Sequence, residues 1–262
     1  MKIDWYANNC NIAYLHPAVK LLFGGGIMIM VMVVSQWFFS ILAVALIVLT
    51  LKLMVGIPIK TLFNTMRAPL VFLFIGFLTI ILTIGVPEQD QVRVIWALNR
   101  EASRSLILTN VGLEQGIQLI SRALGAVFAL YFISFSTPLN DILIQLRRLH
   151  VPMFLITLMF LVYRFIFIIY HAFQTLIDAQ SLRMGYYGLK TGLKSLGGAM
   201  GSLFSRIFIY ADRMEESLAC RLYNGSLLTL EPIWEFRSYK TVVLAILLAV
   251  FILGGVWIKI MG

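Results

Sequence analysis

From Leu21 to Leu53 the chain stays apolar for 33 residues, and its polar break is Ser35-Gln36-Trp37. As one helix that run would extend about 50 Å, well beyond a hydrocarbon core of roughly 30 Å. It predicts two membrane helices, over about 18–35 and 37–54, joined by a very tight turn. A third is expected from about Pro69 to Val86. After a polar stretch at 87–110, a fourth covers about 113–136, amphipathic at Glu114, Gln118 and Arg122 and apolar later. A last one covers about 240–260, with Lys240 and Lys259 as interfacial anchors.

Composition agrees: 60% of the 262 residues are hydrophobic, 13% are charged, and mean hydropathy is +0.91. Soluble domains carry nearer a quarter charged residues, so the chain reads as an integral membrane protein. The net charge of +9 is explained by cytoplasmic loops and anionic headgroups. No basic run has the pattern of a nucleic-acid module. The N-terminus, Met1-Lys-Ile-Asp-Trp-Tyr, lacks the features of a cleaved signal, so the first run is expected to be retained. Cys10 and Cys220 are too few and too far apart for a metal framework, and both are expected in the reducing cytoplasm without a disulfide.

Segment 151–173 is apolar enough to cross, yet charge argues against it. With the N-terminus inside, Lys52, Lys60 and Arg67 return inside, and Arg147 and Arg148 follow after the fourth helix. If 151–173 then crossed, eight Lys and Arg between 174 and 240 would be exported, against the positive-inside rule. The expectation is therefore that 151–173 lies buried along the bundle and the inner interface. The fold class is an all-α integral membrane protein of about five transmembrane helices. A cytoplasmic coupling-helix region lies between the fourth and fifth, with domains at 1–136, 137–239 and 240–262. Six spans with a basic external loop is the competing layout.

Beyond Leu189, apolar residues at Leu193, Leu196, Met200, Leu203, Ile207, Ala211, Met214 and Leu218 mark one helical face. Asp212, Arg213, Glu215 and Glu216 form a solvated one. Gly188, Gly192, Gly197 and Gly201 recur on that stretch. They admit two readings: close approach of a crossing helix, or a break into a loop. Arg183 and Arg221 each end a helical pattern and are followed by Tyr and Gly. An arginine there complements the helix dipole, and a following glycine can supply a left-handed cap. The recurrence equally fits docking of a guanidinium onto a partner carboxylate.

The order of several motifs carries a resemblance. They are Ile3-Asp4, His16-Pro17-Ala-Val-Lys20, Arg122-Ala-Leu-Gly125, Ser136-Thr-Pro138, Leu146-Arg-Arg-Leu-His-Val-Pro152, Tyr163-Arg-Phe-Ile-Phe167, Arg183-Met-Gly185 and Arg221-Leu-Tyr-Asn-Gly225. Over nearly its whole length the chain resembles the transmembrane T component of energy-coupling factor transporters, most closely the cobalt-type (CbiQ-like) branch. The resemblance implies a non-catalytic coupling subunit of an ATP-driven importer in a prokaryotic cell (inner) membrane, with N-terminus cytoplasmic and C-terminus extracytoplasmic. It implies two ATP-binding cassette ATPases and a substrate-binding membrane (S) subunit as partners. ATP and Mg2+ belong to the ATPases. Co2+, or alternatively Ni2+, is held by the S subunit and taken up to feed cobalamin biosynthesis. No cofactor or metal is expected on this chain. The family's two Ala-Arg-Gly-type motifs map onto Arg183 and Arg221, so Arg183, Gly185, Arg221, Tyr223 and Gly225 are the ATPase-coupling candidates. Leu182 and Met184 replace the family's Ala and Gly in the first, Cys220 and Leu222 in the second.

Other chemistry is thinly represented. His16, His150 and His171 form no metal-ligand spacing, and no Walker A pattern occurs. A membrane enzyme acting on lipid or isoprenoid substrates is the alternative class, but the one dense acidic group, Asp212 with Glu215 and Glu216, reads as a solvated face. Arg122 and Arg164 lie within apolar stretches and are read as structural. Glu114, Gln118 and Arg122 are expected to form an ion-pair network.

Overall fold

The computed structural model describes residues 6–34, 36–85, 94–98, 105–223, 225, 234 and 239–261. In chain order the elements are α1 (Pro17–Val33), α2 (Trp37–Thr50) continued by a π-turn (Leu51–Val55), α3 (Ile59–Ile81), β1 (Leu82–Gly85), β2 (Val94–Leu98), β3 (Ser105–Thr109), α4 (Asn110–Ser136), α5 (Leu139–Arg148), α6 (Met153–Leu182), α7 (Leu189–Cys220) and α8 (Tyr239–Met261).

The fold is helical as expected, with one addition. In the stretch read as a polar loop, Val94-Ile-Trp-Ala-Leu and Ser105-Leu-Ile-Leu-Thr supply residues that favour extended backbone, and they pair into an antiparallel sheet of order β1-β3-β2. Among the described residues five helices are long and apolar enough to cross a membrane, the expected number with a different membership. Met153–Leu182 is among them, whereas Pro17–Val33 is a shorter apolar helix of 17 residues, about 26 Å long.

Two helix boundaries differ instructively from expectation. α3 starts at Ile59 and carries Pro69 inside it, where a start at Pro69 was expected. A proline has no N–H for the carbonyl four residues earlier. That carbonyl belongs to Thr65, and the Tyr131 hydroxyl of α4 donates to it at 3.3 Å. α2 tightens into its π-turn and stops at Gly56, whose φ of 82° closes the turn as its N–H donates to Leu51 at 3.0 Å.

Contacts divide the chain into one unit of Met1–Asp141 with Ile233–Gly262 and another of Ile142–Pro232. These boundaries follow packing, whereas the sequence division followed topology. In the first unit α4 packs on α1, α2 and α3, and α8 packs on α1. Four-residue spacing sets the buried faces: Phe23, Ile27 and Val31 on α1, and Phe39, Ala43, Ile47 and Leu51 on α2. Phe23 meets Phe132 at 4.9 Å, and Phe39 stacks on Phe251 at 4.3 Å. Lipid offers no hydrophobic drive between such helices, so close fit must hold them. Glycines supply it: a Cβ on Gly24 would lie 2.5 Å from Ile133, and one on Gly255 2.8 Å from Phe39.

In the second unit α6 packs on α7. Ala199 and Leu203 are buried, and a cavity of about 340 Å3 is lined by Ile166, Ile169, Tyr170 and Phe173 of α6 with Met200 and Leu203 of α7. Along α6, Phe154, Leu158, Val162 and Ile166 are exposed.

Candidate functional site

The two arginines occupy equivalent positions. Arg183 is the C-cap of α6 with φ −89° and ψ 16°, and Arg221 is the C-cap of α7 with φ −95° and ψ 14°. In each, the next residue turns left-handed: Met184 at φ 54° and Leu222 at φ 55°. The residue after that closes the helix, as Gly185 N–H donates to Gln180 at 2.9 Å and Tyr223 N–H to Leu218 at 3.1 Å. This is the closure that satisfies the last free carbonyls of a helix. The left-handed position falls directly after each arginine, on Met184 and Leu222, one residue before Gly185 and three before Gly225. A side chain there costs on the order of 1 kcal/mol relative to glycine.

Surroundings at each end are open and greasy. Leu182, Leu189 and Leu222 are 86%, 92% and 90% exposed, and Arg183, Tyr187 and Arg221 are exposed as well. Apolar tips beside a guanidinium suit a partner groove better than bulk water. The first end is braced: Gly185 is buried, and a Cβ on it would lie 2.6 Å from Ser195 Oγ and 2.9 Å from the Gln180 carbonyl. At the second end Tyr223 is exposed, and Gly225, at φ 92°, has open space around it. Because Gly185 touches Ser195 near the start of α7, the two arginines lie about 40 Å apart, the rise of that helix from Ser195 to Arg221.

The remaining candidates are placed differently from expectation. α7 runs unbroken through Gly192, Gly197 and Gly201, so these glycines do not form a loop. Among the described residues Gly188, Gly197 and Gly201 face open space, and Gly192 has Tyr186 nearby. Among the described residues no ion pair joins Glu114 to Arg122, which are two turns apart, about 12 Å. Glu114 and Gln118 instead line a cavity of about 520 Å3 with Gln36, Trp37 and Ile117. Arg122 Nε is buried without a hydrogen-bond partner, and Arg164 is exposed. Among the described residues no three of His, Cys, Asp and Glu gather as a metal-ligand set.

A second polar cluster lies in the first unit. Lys20 is fully buried and its Nζ donates to the carbonyls of Ser136 at 3.1 Å and Ala13 at 3.3 Å. Asp141 is 7% exposed. Burial pushes its carboxyl above the usual range, while the Lys20 charge and the nearby Trp234 side chain pull it down. Trp234 meets His16 edge-on at 5.3 Å, and His16 Nδ1 accepts from the Ala18 N–H to cap α1. Burial also raises the Cys10 thiol, which disfavours its reactive thiolate. Sequence reading had Lys20 as the end of the His16-Pro17-Ala-Val-Lys20 motif. Its position three residues after Pro17, on the helix face shared with Phe23 and Ile27, was the available signal.

Comparisons with known proteins agree on the family. Residues 11–231 match the family described as cobalt transport protein, CbiQ. An uncharacterized protein of Methanocaldococcus jannaschii is 32% identical over 142 residues, 54% of this chain and 53% of that protein. The cobalt transport protein CbiQ of Salmonella typhimurium is 29% identical over 160 residues, 61% of this chain and 69% of the relative. A putative fused cobalt transport protein CbiMQ of Methanocorpusculum labreanum is 28% identical over 164 residues, 62% of this chain and 26% of the relative. The match thus spans about half of the first relative and a quarter of the fused one. With its multi-pass helical fold and a family match over most of its length, this chain belongs to the CbiQ cobalt transport protein family.

Proposed function

We propose that this protein is the non-catalytic coupling subunit of an ATP-driven importer of the energy-coupling factor type, with Co2+ as the transported ion. Two ATPases dock on the ends of α6 and α7, and a separate membrane subunit holds the ion. The observation that carries this reading is the identity of the two helix ends: an arginine at the C-cap, a left-handed residue after it and an exposed leucine beside it, repeated about 40 Å apart. Each end offers a guanidinium for bidentate pairing and apolar surface for burial, and the long helices can carry displacement as rigid rods. The names of the relatives support cobalt as the cargo.

Copurification of the chain with its ATPases tests the docking. The wild type is expected to bring two ATPase subunits with it. Arg183→Glu/Arg221→Glu is expected to lose them at least a hundred-fold while still inserting in the membrane. Full capture and uptake in that variant refute the assignment.

The orientation, with N-terminus and residues 174–239 cytoplasmic, has its own test. Cys220 is exposed and Cys10 is buried, so a membrane-impermeant maleimide reports on Cys220. It is expected to label inverted vesicles and spare intact cells; the reverse pattern overturns the cytoplasmic placement.

A further inference from the structure

Three membrane-spanning helices of the first unit each place a lysine at one shared edge. Lys52 lies in the last turn of the span Trp37–Val55, Lys60 opens the span Lys60–Thr79, and Lys240 is second in the span Tyr239–Ile260. Residues 6–14 gather these ends. The Asn11 N–H donates to the Val55 carbonyl at 3.4 Å, and the Tyr6 and Thr61 hydroxyls are hydrogen-bonded at 3.3 Å. Lys240 Nζ donates to the Asn11 carbonyl at 2.9 Å and stands 5.2 Å from the centre of the Tyr14 ring, whose face attracts a cation.

Neither 6–85 nor 239–261 contains an Asp or Glu, so no carboxylate of these stretches answers the three cations. Nor does Lys240 serve the dipole of its own helix, because the first turn is the positive end. Asn11 takes one of its three ammonium donors, and the others remain for an anion. Lys52 and Lys60 are exposed, as are Tyr14 and Tyr239, and tyrosines favour the headgroup level of a bilayer. From Tyr239 an exposed apolar stripe runs into the span at Val242, Ile246 and Val250.

We propose that this edge binds an anionic phospholipid. Lys240, with Lys52 and Lys60 on the same edge, supplies positive charge for the phosphate, and an acyl chain follows the α8 stripe. A free phosphate satisfies only the first half of that description. The site is independent of the coupling reading, since it needs no ATPase.

The test uses the whole chain in a neutral detergent, titrated with phosphatidylglycerol, phosphatidylcholine or inorganic phosphate, with bound lipid counted by native mass spectrometry. Phosphatidylglycerol is expected to bind at least ten-fold more tightly than phosphatidylcholine. Inorganic phosphate at ten times the lipid concentration is expected to displace none of it. Lys240→Gln should lower phosphatidylglycerol affinity about five-fold, the effect of one cation at an anionic surface, and Lys240→Arg should keep it within two-fold. Lys52→Gln/Lys60→Gln should lower it at least five-fold. Lys259→Gln, in the last turn of α8, should leave it unchanged. Equal affinity for the two lipids, full affinity in Lys240→Gln, or an equal loss in Lys259→Gln overturns the site. Displacement by phosphate overturns the lipid as occupant and leaves a free-anion site. Should Lys240→Gln fail to insert, Lys52→Gln/Lys60→Gln decides alone.

Discussion

At the end of α6 the chain turns through Met184 and is braced at once, with Gly185 buried against Ser195; at the end of α7 it turns through Leu222 at nearly the same φ and runs on to an exposed Tyr223. The shared part is local. An arginine at the cap and one left-handed residue suffice to satisfy the last carbonyls, whatever lies around them. The part that differs is tertiary, because the α6 end has Ser195 of α7 beside it, whereas Gly225 past the α7 end has open space around it among the described residues. Two ends with one closure and unequal support suggest equal recognition with unequal stiffness.

The largest effect that could break this equivalence comes from single charge reversals. Arg183→Glu and Arg221→Glu are each expected to lower ATPase recovery by at least ten-fold, since a stranded partner carboxylate costs about 2–5 kcal/mol. A dispensable arginine at either end would make the two ends unequal in recognition as well. Next comes Gly185→Val, expected to destabilise the protein by about 1–3 kcal/mol, read as a lower thermal midpoint in detergent. Ser195→Gly should recover part of that loss, and Gly225→Ala, in open space but at positive φ, should cost less. The smallest effect sharpens the local half of the comparison. Met184→Gly and Leu222→Gly should each raise stability by up to about 1 kcal/mol, by similar amounts. If Leu222 also inserts into a partner, Leu222→Gly should gain stability and lose ATPase capture in the same sample.

Much of this was legible before any coordinates. Apolar runs longer than one bilayer crossing fixed the helical membrane class, and the placing of Arg183 and Arg221 at helix ends followed from periodicity giving way to Tyr and Gly. The misreadings have physical causes. Pro69 reads as a helix start, yet the helix continues through it because the Thr65 carbonyl it leaves without a donor accepts from the Tyr131 hydroxyl, 66 residues away. Gly188 to Gly201 looked like a crossing face, whereas the close crossings fall at Gly24 and Gly255, and spacing alone does not say which glycines have a neighbour. The strands lie in a stretch whose charges hid their short apolar runs. Lys20 and the Ser136 carbonyl to which it donates are 116 positions apart, and no local pattern foretells a contact across that distance.

The Tyr131 hydroxyl that reaches the Thr65 carbonyl has a consequence for how α3 sits in lipid. Hydrocarbon holds no solvent to fill the gap a proline leaves, so the cover must come from a fixed neighbour. α3 is therefore keyed to α4 at one height and one angle. Rolling it about its long axis would strip that oxygen bare, which gives the otherwise slippery helix a registered orientation.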